Sequence, residues 1–572
     1  MRIRFLLFYL SFQVIAQISP AQNIVPYSIV IDEIMPDPTP QVGLPNNEWI
    51  ELKNNSSGAI NLAGFRIGDE NSMSGPMPDF LLQPDSFVIV CTGSAVAALS
   101  AFGQVISVTG FPSLDNDGET IILRSPEGNI IHALNYSPEW FQNAVKADGG
   151  WSLEMMDTNN PCSGKNNWKA STNINGGSPG KKNSIDAINP DETPPQLKRS
   201  YSIDDRTIVL VFDEPIDSTS ASDPAKYFMT DNQILAATAS SPIFNTVVIT
   251  LGTPLQNEKV YTITVKDITD CKGNNIGVHN ATKAGISQEA LKNDMVINEI
   301  LFNPKPGAND YVEFYNRSNK IIDANNLYIN NSTTNGSNNS LKKISNTPLQ
   351  IFPGDYIVLT EDALQLGMNY FLKNSDAVIR LASMPSLPDD KGTIVLLNAQ
   401  GTIVDEVHYS EKWHFELMTN NDGVALERID PNFETQNLQN WHSAASTSGY
   451  GTPGYQNSQY KLANKSTATI EITPKIFSPD NDGYDDITTI NYNVSQSGYV
   501  GNIIVLDAGG RQVRHLVKNA LLSMKGFWTW DGLGENGKKL PIGSYIVYTE
   551  LFNLDGNKES YKNVVVLGRK LN

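Results

Sequence analysis

Ile29-Val-Ile-Asp-Glu-Ile-Met35 returns later in the chain as Met295-Val-Ile-Asn-Glu-Ile-Leu301. Each copy is followed by an aromatic segment with acidic ends, Glu48-Trp-Ile-Glu51 in the first and Asp310-Tyr-Val-Glu313 in the second. The runs are rich in β-branched and aromatic residues, which are typical of strands. The chain therefore contains an internal repeat whose unit begins with two strands.

The repeat keeps its register through the second half of each copy. Equivalent residues lie 273 positions apart: Trp140 and Trp413, Leu153 and Leu426, Trp168 and Trp441. Both copies end on similar turns, Gly177-Ser-Pro-Gly180 and Gly451-Thr-Pro-Gly454. Coincidence does not hold register over such a span. We predict two copies of one module, module 1 at residues 26–184 and module 2 at residues 293–458.

Several features of the repeat resemble the lamin tail domain. They are the opening Asn/Asp-Glu-Ile strand, a Glu-x-x-Glu-like strand, a Leu-x-x-x-Gly-(Phe/Tyr) segment seen here as Leu62-Ala-Gly-Phe65, and a late Trp before Gly-x-Pro-Gly. Module 2 departs from the pattern, since it has Leu327-Tyr-Ile329 where module 1 has the Gly. The family is an immunoglobulin-like β-sandwich. In bacteria, similar modules occur on secreted and envelope proteins, sometimes beside nuclease or other hydrolase domains.

A polar, Pro-rich linker, Asp191-Glu-Thr-Pro-Pro195, separates module 1 from another strand-rich segment. That segment carries Thr207-Ile-Val-Leu-Val-Phe212, then Asp213-Glu-Pro-Ile216, and later Asp270-Cys-Lys-Gly-Asn274. It resembles the bacterial Ig-like module of surface-layer proteins. The resemblance implies a spacer, here the Ig-like module at residues 191–285.

The last hundred residues form the predicted C-terminal module, residues 466–572. Their marks are Val505-Leu-Asp-Ala-Gly-Gly510, Phe527-Trp-Thr-Trp-Asp-Gly532 and Leu540-Pro-Ile-Gly-Ser-Tyr545. The pattern is similar to the flagellar-hook-capping type of Ig-like module and to the C-terminal domains of gliding-motility and type IX secreted proteins of the Bacteroidetes. The resemblance implies a role in export or attachment.

Composition agrees with a multidomain all-β chain of tandem immunoglobulin-like β-sandwiches. At about 100–150 residues per domain, 572 residues suggest about four domains, and 42 Gly with 32 Pro favour short strands joined by turns. The net charge of −19 disfavours nucleic acid as a partner, because binding it requires Lys and Arg against phosphates.

The N-terminus has the pattern of a signal peptide, residues 1–21. Two arginines precede an apolar run from Phe5 to Ile15, which is too short to span a bilayer, and a small-residue exit ends at Ala21. No later segment is long and apolar enough to be a transmembrane helix. We expect an exported protein of the outer surface, the medium or the periplasm.

Possible catalytic patterns in the chain all have structural explanations. Gly176-Gly-Ser-Pro-Gly180 has the spacing of a nucleophile elbow, but the elbow needs the N–H after the Ser, and Pro179 has none. Glu48 and Glu51 are expected to flank a half-exposed strand. The six histidines include no close ligand pair and are expected at the surface or in interfaces. We expect no catalytic centre and no required cofactor.

Three cysteines cannot form a disulfide framework, so no chemistry is assigned to Cys91, Cys162 or Cys271. Cys91 lies in an apolar run and is expected to be a buried thiol.

One acidic turn has the oxygen density that calcium requires. In Asp480-Asn-Asp-Gly-Tyr-Asp-Asp486, several carboxylates surround a Gly that permits a sharp turn. Counted from Ser478 as an EF-hand loop, Asp480, Asp482 and Gly483 fit, whereas the twelfth position is Thr489 instead of Glu. We predict Ca²⁺ binding by Asp480, Asp482 and Asp485, with a solvated strand cap as the alternative.

Together these features predict a non-catalytic surface or secreted protein that binds another protein or an envelope or extracellular polysaccharide. The alternative is an accessory or cryptic metal-dependent hydrolase of the kind that lamin-tail modules accompany. The sequence leaves the ligand, the oligomeric state and the cleavage of the C-terminal module open.

Overall fold

The computed structural model describes residues 24–332, 341–460 and 468–569, so the predicted signal peptide lies outside the described residues. Within these residues the chain divides into two compact units, one of residues 24–199, 207–253 and 262–282, the other of residues 200–206, 254–261, 283–332, 341–460 and 468–569. Strands dominate both. The prediction of an all-β fold of tandem sandwiches is confirmed.

Module 1 is a sandwich of a six-stranded sheet, β11-β10-β1-β2-β6-β7, and a three-stranded sheet, β4-β8-β9, with a small β3-β5 pair. Its core contains Ile31 and Leu52 from the first sheet and Ile67 and Leu123 from the second. The strands are β1 (Ile29–Met35), β2 (Trp49–Asn54), β3 (Ile60–Asn61), β4 (Arg66–Gly68), β5 (Leu81–Leu82), β6 (Phe87–Cys91), β7 (Val105–Ser107), β8 (Thr120–Arg124), β9 (Ile130–Asn135), β10 (Leu153–Met155) and β11 (Trp168–Ala170).

The Ig-like module pairs β13, β16 and β15 antiparallel in one sheet and β14 with β17 in another. Alternate residues of β16 are buried, as expected of a strand with one face on a core. Its strands are β12 (Leu197–Ser202), β13 (Thr207–Phe212), β14 (Tyr227–Met229), β15 (Ile234–Ala239), β16 (Thr246–Leu251), β17 (Tyr261–Val265) and β18 (Ala281–Ala284).

Module 2 repeats the architecture of module 1. Its six-stranded sheet is β26-β25-β20-β19-β29-β30, and its second sheet is β23-β22-β27-β28, with a β21-β24 pair. The strands are β19 (Met295–Leu301), β20 (Tyr311–Asn316), β21 (Ile322–Asp323), β22 (Leu327–Asn330), β23 (Lys342–Lys343), β24 (Gln350–Ile351), β25 (Tyr356–Thr360), β26 (Val378–Arg380), β27 (Lys391–Asn398), β28 (Ile403–Ser410), β29 (Leu426–Arg428) and β30 (Trp441–Ser443).

The C-terminal module packs a three-stranded sheet, β31-β33-β36, on a five-stranded sheet, β32-β38-β37-β34-β35. Trp530 is fully buried at the centre of its core. The strands are β31 (Thr469–Thr473), β32 (Ile476–Phe477), β33 (Thr488–Asn493), β34 (Val500–Asp507), β35 (Gln512–Leu521), β36 (Lys525–Trp530), β37 (Gly543–Phe552) and β38 (Lys558–Leu567).

Helices in the described residues are short. The α-helices are α1 (Val96–Leu99), α2 (Ala144–Ala147), α3 (Ser218–Ala221) and α4 (Ala363–Asn369). The 3₁₀ turns are Pro138–Phe141, Gly164–Asn167, Pro224–Lys226, Ala324–Asn326, Ser375–Ala377, Glu411–Trp413, Leu438–Asn440, Ser446–Ser448 and Glu535–Gly537.

A disulfide joins module 1 to the Ig-like module and corrects the expectation that the cysteines have no chemistry. Cys162 and Cys271 are bonded across 109 residues, and Cys91 is free and buried, as predicted. The pair was missed because its members lie in different modules and meet only through packing. The Lys272 ammonium also donates a hydrogen bond to the Asn159 carbonyl (2.8 Å) in module 1.

In the second unit, module 2 packs directly on the C-terminal module. Phe415 forms an apolar cluster with Val500 and Leu521. The Gln459 amide donates to the Leu522 carbonyl (3.1 Å). The contact combines apolar burial with a hydrogen bond from a side-chain amide to a backbone carbonyl.

Candidate functional site

A row of three glutamates crosses the six-stranded sheet of each lamin-tail-like module. In module 1, Glu33 on β1 pairs directly with Glu51 on β2 and with Glu154 on β10. Residues directly opposite each other on neighbouring strands have their side chains on one face. All three are fully buried. The equivalent row in module 2 is Glu299, Glu313 and Glu427, which are also fully buried and paired in the same way.

A β-bulge brings one more polar residue to this row. Between Ile31 and Glu33 the register with β2 shifts by one residue, so Asp32 is the extra residue on β1. Asn298 has the same place on β19. Its amide reaches the row and donates to Glu313 Oε1 at 2.7 Å. The bulge therefore explains how Asp32 and Glu33, which are consecutive in sequence, can both be buried at the glutamate row. The same holds for Asn298 and Glu299 in module 2.

The closing turn of each module binds these carboxylates. The Ser178 N–H donates to Glu33 Oε1 (2.8 Å), and its hydroxyl donates to Glu154 Oε1 (2.6 Å). The Gly180 N–H donates to Glu51. Ser178 is only 5% exposed. The Gly-Ser-Pro-Gly sequence is thus a clamp on the glutamate row, in agreement with the rejection of Ser178 as a nucleophile.

Thr452 and Gly454 form the same clamp in module 2. The Thr452 N–H donates to Glu299 (2.8 Å), its hydroxyl contacts Glu427 (2.9 Å), and the Gly454 N–H donates to Glu313 (2.6 Å). Ser and Thr are interchangeable here because the clamp needs only a hydroxyl and a backbone N–H.

Burial dominates the electrostatics of the row. It raises the pKa of Glu33, Glu51 and Glu313 well above the usual range, and neighbouring carboxylates raise it further. The pKa of Glu299 rises to about 8 for the same reasons. Such values suit a general acid, yet the closing turns seal these groups from solvent. The row is structural.

Glu51 corrects the expectation of a half-exposed strand, because β2 is covered on both faces. Alternation alone could not show this, since the closing turn that covers the second face is distant in sequence. Glu48 is partly exposed and accepts a hydrogen bond from the Leu114 N–H (3.0 Å).

Two histidines are buried, which corrects their expected place at the surface or in interfaces. His132 Nδ1 accepts a hydrogen bond from the Ile31 N–H (2.8 Å), beside the bulge. Burial lowers the pKa of His132 to about 4. His132 therefore caps a backbone donor as a neutral ring.

His414 lies 2.9 Å from the Ser443 hydroxyl, the spacing of a catalytic dyad. Both are buried, and burial lowers the pKa of His414 to about 4. In module 1 the equivalent residues are Phe141 and Ala170. The pair is a polar replacement for an apolar core contact, without access for a substrate.

The acidic turn of the C-terminal module brings together a slightly different set from the predicted one. Carboxylate oxygens of Asp480, Asp482 and Asp486 all lie within 4.8 Å of one another. Asp486 also accepts hydrogen bonds from the N–H groups of Asn481 (2.6 Å) and Gly483 (2.9 Å). Asp485 is not in this group, and its carbonyl accepts from the Ser478 N–H (2.9 Å). Calcium binding stays a prediction.

A second acidic group escaped the sequence analysis because its members are scattered. Oxygens of Asp191, Glu214 and Asp270 also lie within 4.8 Å of one another. Burial and the two aspartates raise the pKa of Glu214 to about 8. The Asn274 amide donates to the Asp270 carboxylate (2.7 Å) and to the Asp191 carbonyl (3.0 Å), which holds the linker on the Ig-like module.

Comparison with known families identifies these modules. The Lamin Tail Domain family model matches residues 24–138 and 288–411, and the Bacterial Ig-like domain model matches residues 185–283. The chain carries two lamin tail domains and one bacterial Ig-like domain. In both lamin tail domains the match ends before the third glutamate of the row and before the closing turn.

No curated protein matches the chain. Solved structures similar to it include the N-terminal part of the bacterial S-layer protein SbsC (14% identity, 29% of this chain, 40% of that one, TM-score 0.16). Another is CopC from Methylosinus trichosporium (21% identity, 15% of this chain, 79% of that one, TM-score 0.12). A third is PorZ, a surface component of the type IX secretion system of Porphyromonas gingivalis (11% identity, 79% of this chain, 56% of that one, TM-score 0.16). The chain spans less than half of the SbsC fragment. At these TM-scores the similarities support no conclusion about function.

A cleft of about 540 Å³ is lined by Phe415 and Met418 of the second lamin tail domain and by Val500, Leu521 and other C-terminal residues. Its only titratable lining residue is Tyr450, so it has no acid–base pair.

Among the helices in the described ranges, none has the length and apolar character to cross a membrane.

Proposed function

We propose that this protein is a non-catalytic structural protein of the cell surface or extracellular space. Its lamin tail domains would present interaction surfaces, and its Ig-like modules would space or attach them. The disulfide between Cys162 and Cys271 is the observation that supports this most. Disulfides persist in oxidising compartments, and a covalent link between two modules favours a fixed spacing.

The enclosure of the reactive groups also supports a non-catalytic role. Ser178 donates its hydroxyl to a buried glutamate, and His414 and Ser443 lie in a core. The overall charge of −19 favours protein or polysaccharide as the partner over nucleic acid. The C-terminal module is the proposed export or attachment element.

Cell fractionation with a surface protease tests this function. The full-length protein should appear on the outer surface or in the medium, with the disulfide oxidised. Deletion of residues 466–572 should leave it in the periplasm. Normal surface delivery of the truncated chain would refute the export role.

An activity screen for esterase, phosphodiesterase and nuclease turnover, with and without divalent metal, tests the non-catalytic assignment. We expect no turnover above that of the denatured chain. Turnover that an Asp or His substitution abolishes would establish the alternative hydrolase.

We also propose that the acidic turn binds calcium. Isothermal titration of the full chain with Ca²⁺ should show a site that Asp482→Asn removes. Asp117→Asn, in the Asp-Asn-Asp-Gly turn at 115–118, is the control, because that turn has no carboxylates at the positions of Asp485 and Asp486. Asp485→Asn and Asp486→Asn then separate the sequence prediction from the observed cluster. Equal titration of wild type and Asp482→Asn would leave the turn as a solvated strand cap.

A further inference from the structure

The two lamin tail domains differ in how well their buried carboxylates are satisfied. In module 2, both carboxylate oxygens of Glu313 have donors, from the Asn298 amide and the Gly454 N–H, and the single Thr452 hydroxyl serves either Glu299 or Glu427. In module 1, Glu33 Oε2 and Glu51 Oε1 are buried without a partner. Module 2 therefore shows what module 1 lacks.

The donor that Glu51 lacks is at the bulge. In module 2, the Asn298 amide donates to Glu313 Oε1 and to Asn457 Oδ1, both at 2.7 Å. In module 1, these acceptors are Glu51 and Asn183, but the bulge residue is Asp32, whose ionised carboxylate has no hydrogen to donate. The oxygens Asp32 Oδ1, Glu51 Oε1 and Asn183 Oδ1 are all buried without a partner.

The surrounding framework is the same in the two modules. The Asn183 amide donates to the carbonyls of Asp32 (3.0 Å) and Met155 (2.9 Å). The Asn457 amide donates to the equivalent carbonyls of Asn298 (2.9 Å) and Arg428 (2.8 Å). Each asparagine is thus held by the same two backbone carbonyls, and in module 2 its side-chain oxygen accepts a hydrogen bond from Asn298 (2.7 Å).

The charges around Asp32 are mostly negative. Its own strand carries Glu33, β2 carries Glu51 and Lys53, β10 carries Glu154, and the segment after the closing turn carries Asp186. The Lys53 ammonium donates to the Thr158 hydroxyl (2.9 Å) and lies 3.9 Å from Asp85. Burial, opposed in part by Lys53, raises the pKa of Asp32 to about 7.

We propose that Asp32 is a proton-binding site that fastens the closing segment, residues 177–186, to the sheet of module 1. The neutral carboxylic acid has nearly the shape of the Asn298 amide and donates one of the two hydrogen bonds that the amide donates. The O–H of the acid bonds to Glu51 or Asn183, and on ionisation the proton passes to solvent. Asp32 then faces acceptors on both the sheet and the closing segment, which loosens the segment.

A proton suits this place better than a metal ion. The 2.7 Å contacts of Asn298 are hydrogen-bond distances. Calcium takes six to eight oxygen ligands at about 2.3–2.6 Å, whereas Asp32, Glu33, Glu51 and Asn183 each have only one buried oxygen without a partner.

Hydrogen exchange of the full chain tests the proposal. We compare the opening constant of residues 177–186 in wild type with that in Asp32→Asn. The ratio of the wild-type constant to the variant constant should rise about tenfold per pH unit between pH 5 and 7, because opening in wild type releases the Asp32 proton. Asn298→Asp should produce the same pH dependence in residues 451–460, the equivalent segment of module 2. This second variant keeps the test decisive if Asp32→Asn folds poorly.

Two results would overturn the proposal. One is a ratio that stays constant with pH in both comparisons. The other is protection of residues 177–186 that EDTA removes and Ca²⁺ restores in wild type but not in Asp32→Asn, because a divalent cation would then occupy the site.

Discussion

Acidification should destabilise module 1 through His132. The neutral ring accepts the Ile31 N–H at 2.8 Å, and protonation removes that acceptor. Burial lowers the pKa of His132 to about 4, against about 6.5 in an unfolded chain. The folded value lies below the unfolded one, so this contribution is complete above pH 6.5 and is lost as the pH falls to 4. A difference of 2.5 pKa units corresponds to about 3 kcal/mol.

Hydrogen exchange of β1 and β9 amides in the full chain, from pH 7 to pH 4, would measure this loss. His132→Asn is the matched variant, because its amide oxygen accepts a hydrogen bond at every pH. The variant should lower the free energy of unfolding at pH 7 but show about 3 kcal/mol less acid destabilisation than wild type. Identical pH dependence in the two proteins would refute the assigned role of His132.

Three other substitutions test the packing. The double change Cys162→Ser with Cys271→Ser should lower the free energy of unfolding by up to about 5 kcal/mol through chain entropy, since the bond closes 109 residues. Faster proteolysis of residues 187–195 would report this loss. Ser178→Ala should cost about 1–3 kcal/mol in urea unfolding because Glu154 loses a buried donor, whereas Ser178→Thr should cost less. His414→Phe with Ser443→Ala should destabilise by less than the sum of the single changes, because neither polar partner is then left alone.

The sequence was sufficient to predict the sandwiches and to reject Ser178 as a nucleophile. The first follows from the repeat, whose register keeps equivalent strands recognisable. The second follows from Pro179, whose missing N–H is a covalent fact that no fold can change. Predictions of this kind depend on local chemistry or on comparison within the chain.

The burial of the glutamate row depends on contacts that the sequence does not display. Strand alternation treats Asp32 and Glu33 as opposite-facing, whereas a bulge changes that pattern. The cover over Glu51 comes from Gly180, 129 residues away in sequence. The disulfide likewise requires knowing that two modules pack together.

The acidic turn shows a different limit. EF-hand spacing assumes a regular loop, but Asn481, Gly483 and Asp485 all adopt left-handed backbone conformations, with φ of 63°, 85° and 53°. Successive side chains are therefore rotated away from a simple alternation. Asp486, rather than Asp485, joins Asp480 and Asp482 for this reason.

Buried polar replacements between the two lamin tail domains occur as compensated pairs. His132 in module 1 corresponds to Asp405 in module 2, which also accepts a bulge-side backbone N–H, from Ile297 at 2.8 Å. The charge of Asp405 is balanced by Arg428 at 3.3 Å, where module 1 has Met155. Where module 1 has the neutral His132 and the apolar Met155, module 2 thus has an ion pair, Asp405 with Arg428.

The Asp32 position does not follow that rule. Lys53, where module 2 has Tyr315, is the only accompanying cation on β2, and its ammonium hydrogen-bonds to Thr158 instead of Asp32. An ionised Asp32 would then be a buried charge that Lys53 compensates only in part, which costs several kcal/mol. A bound proton removes that charge and supplies the absent donor together. The same comparison that explains the other polar replacements therefore supports the proposed proton at Asp32.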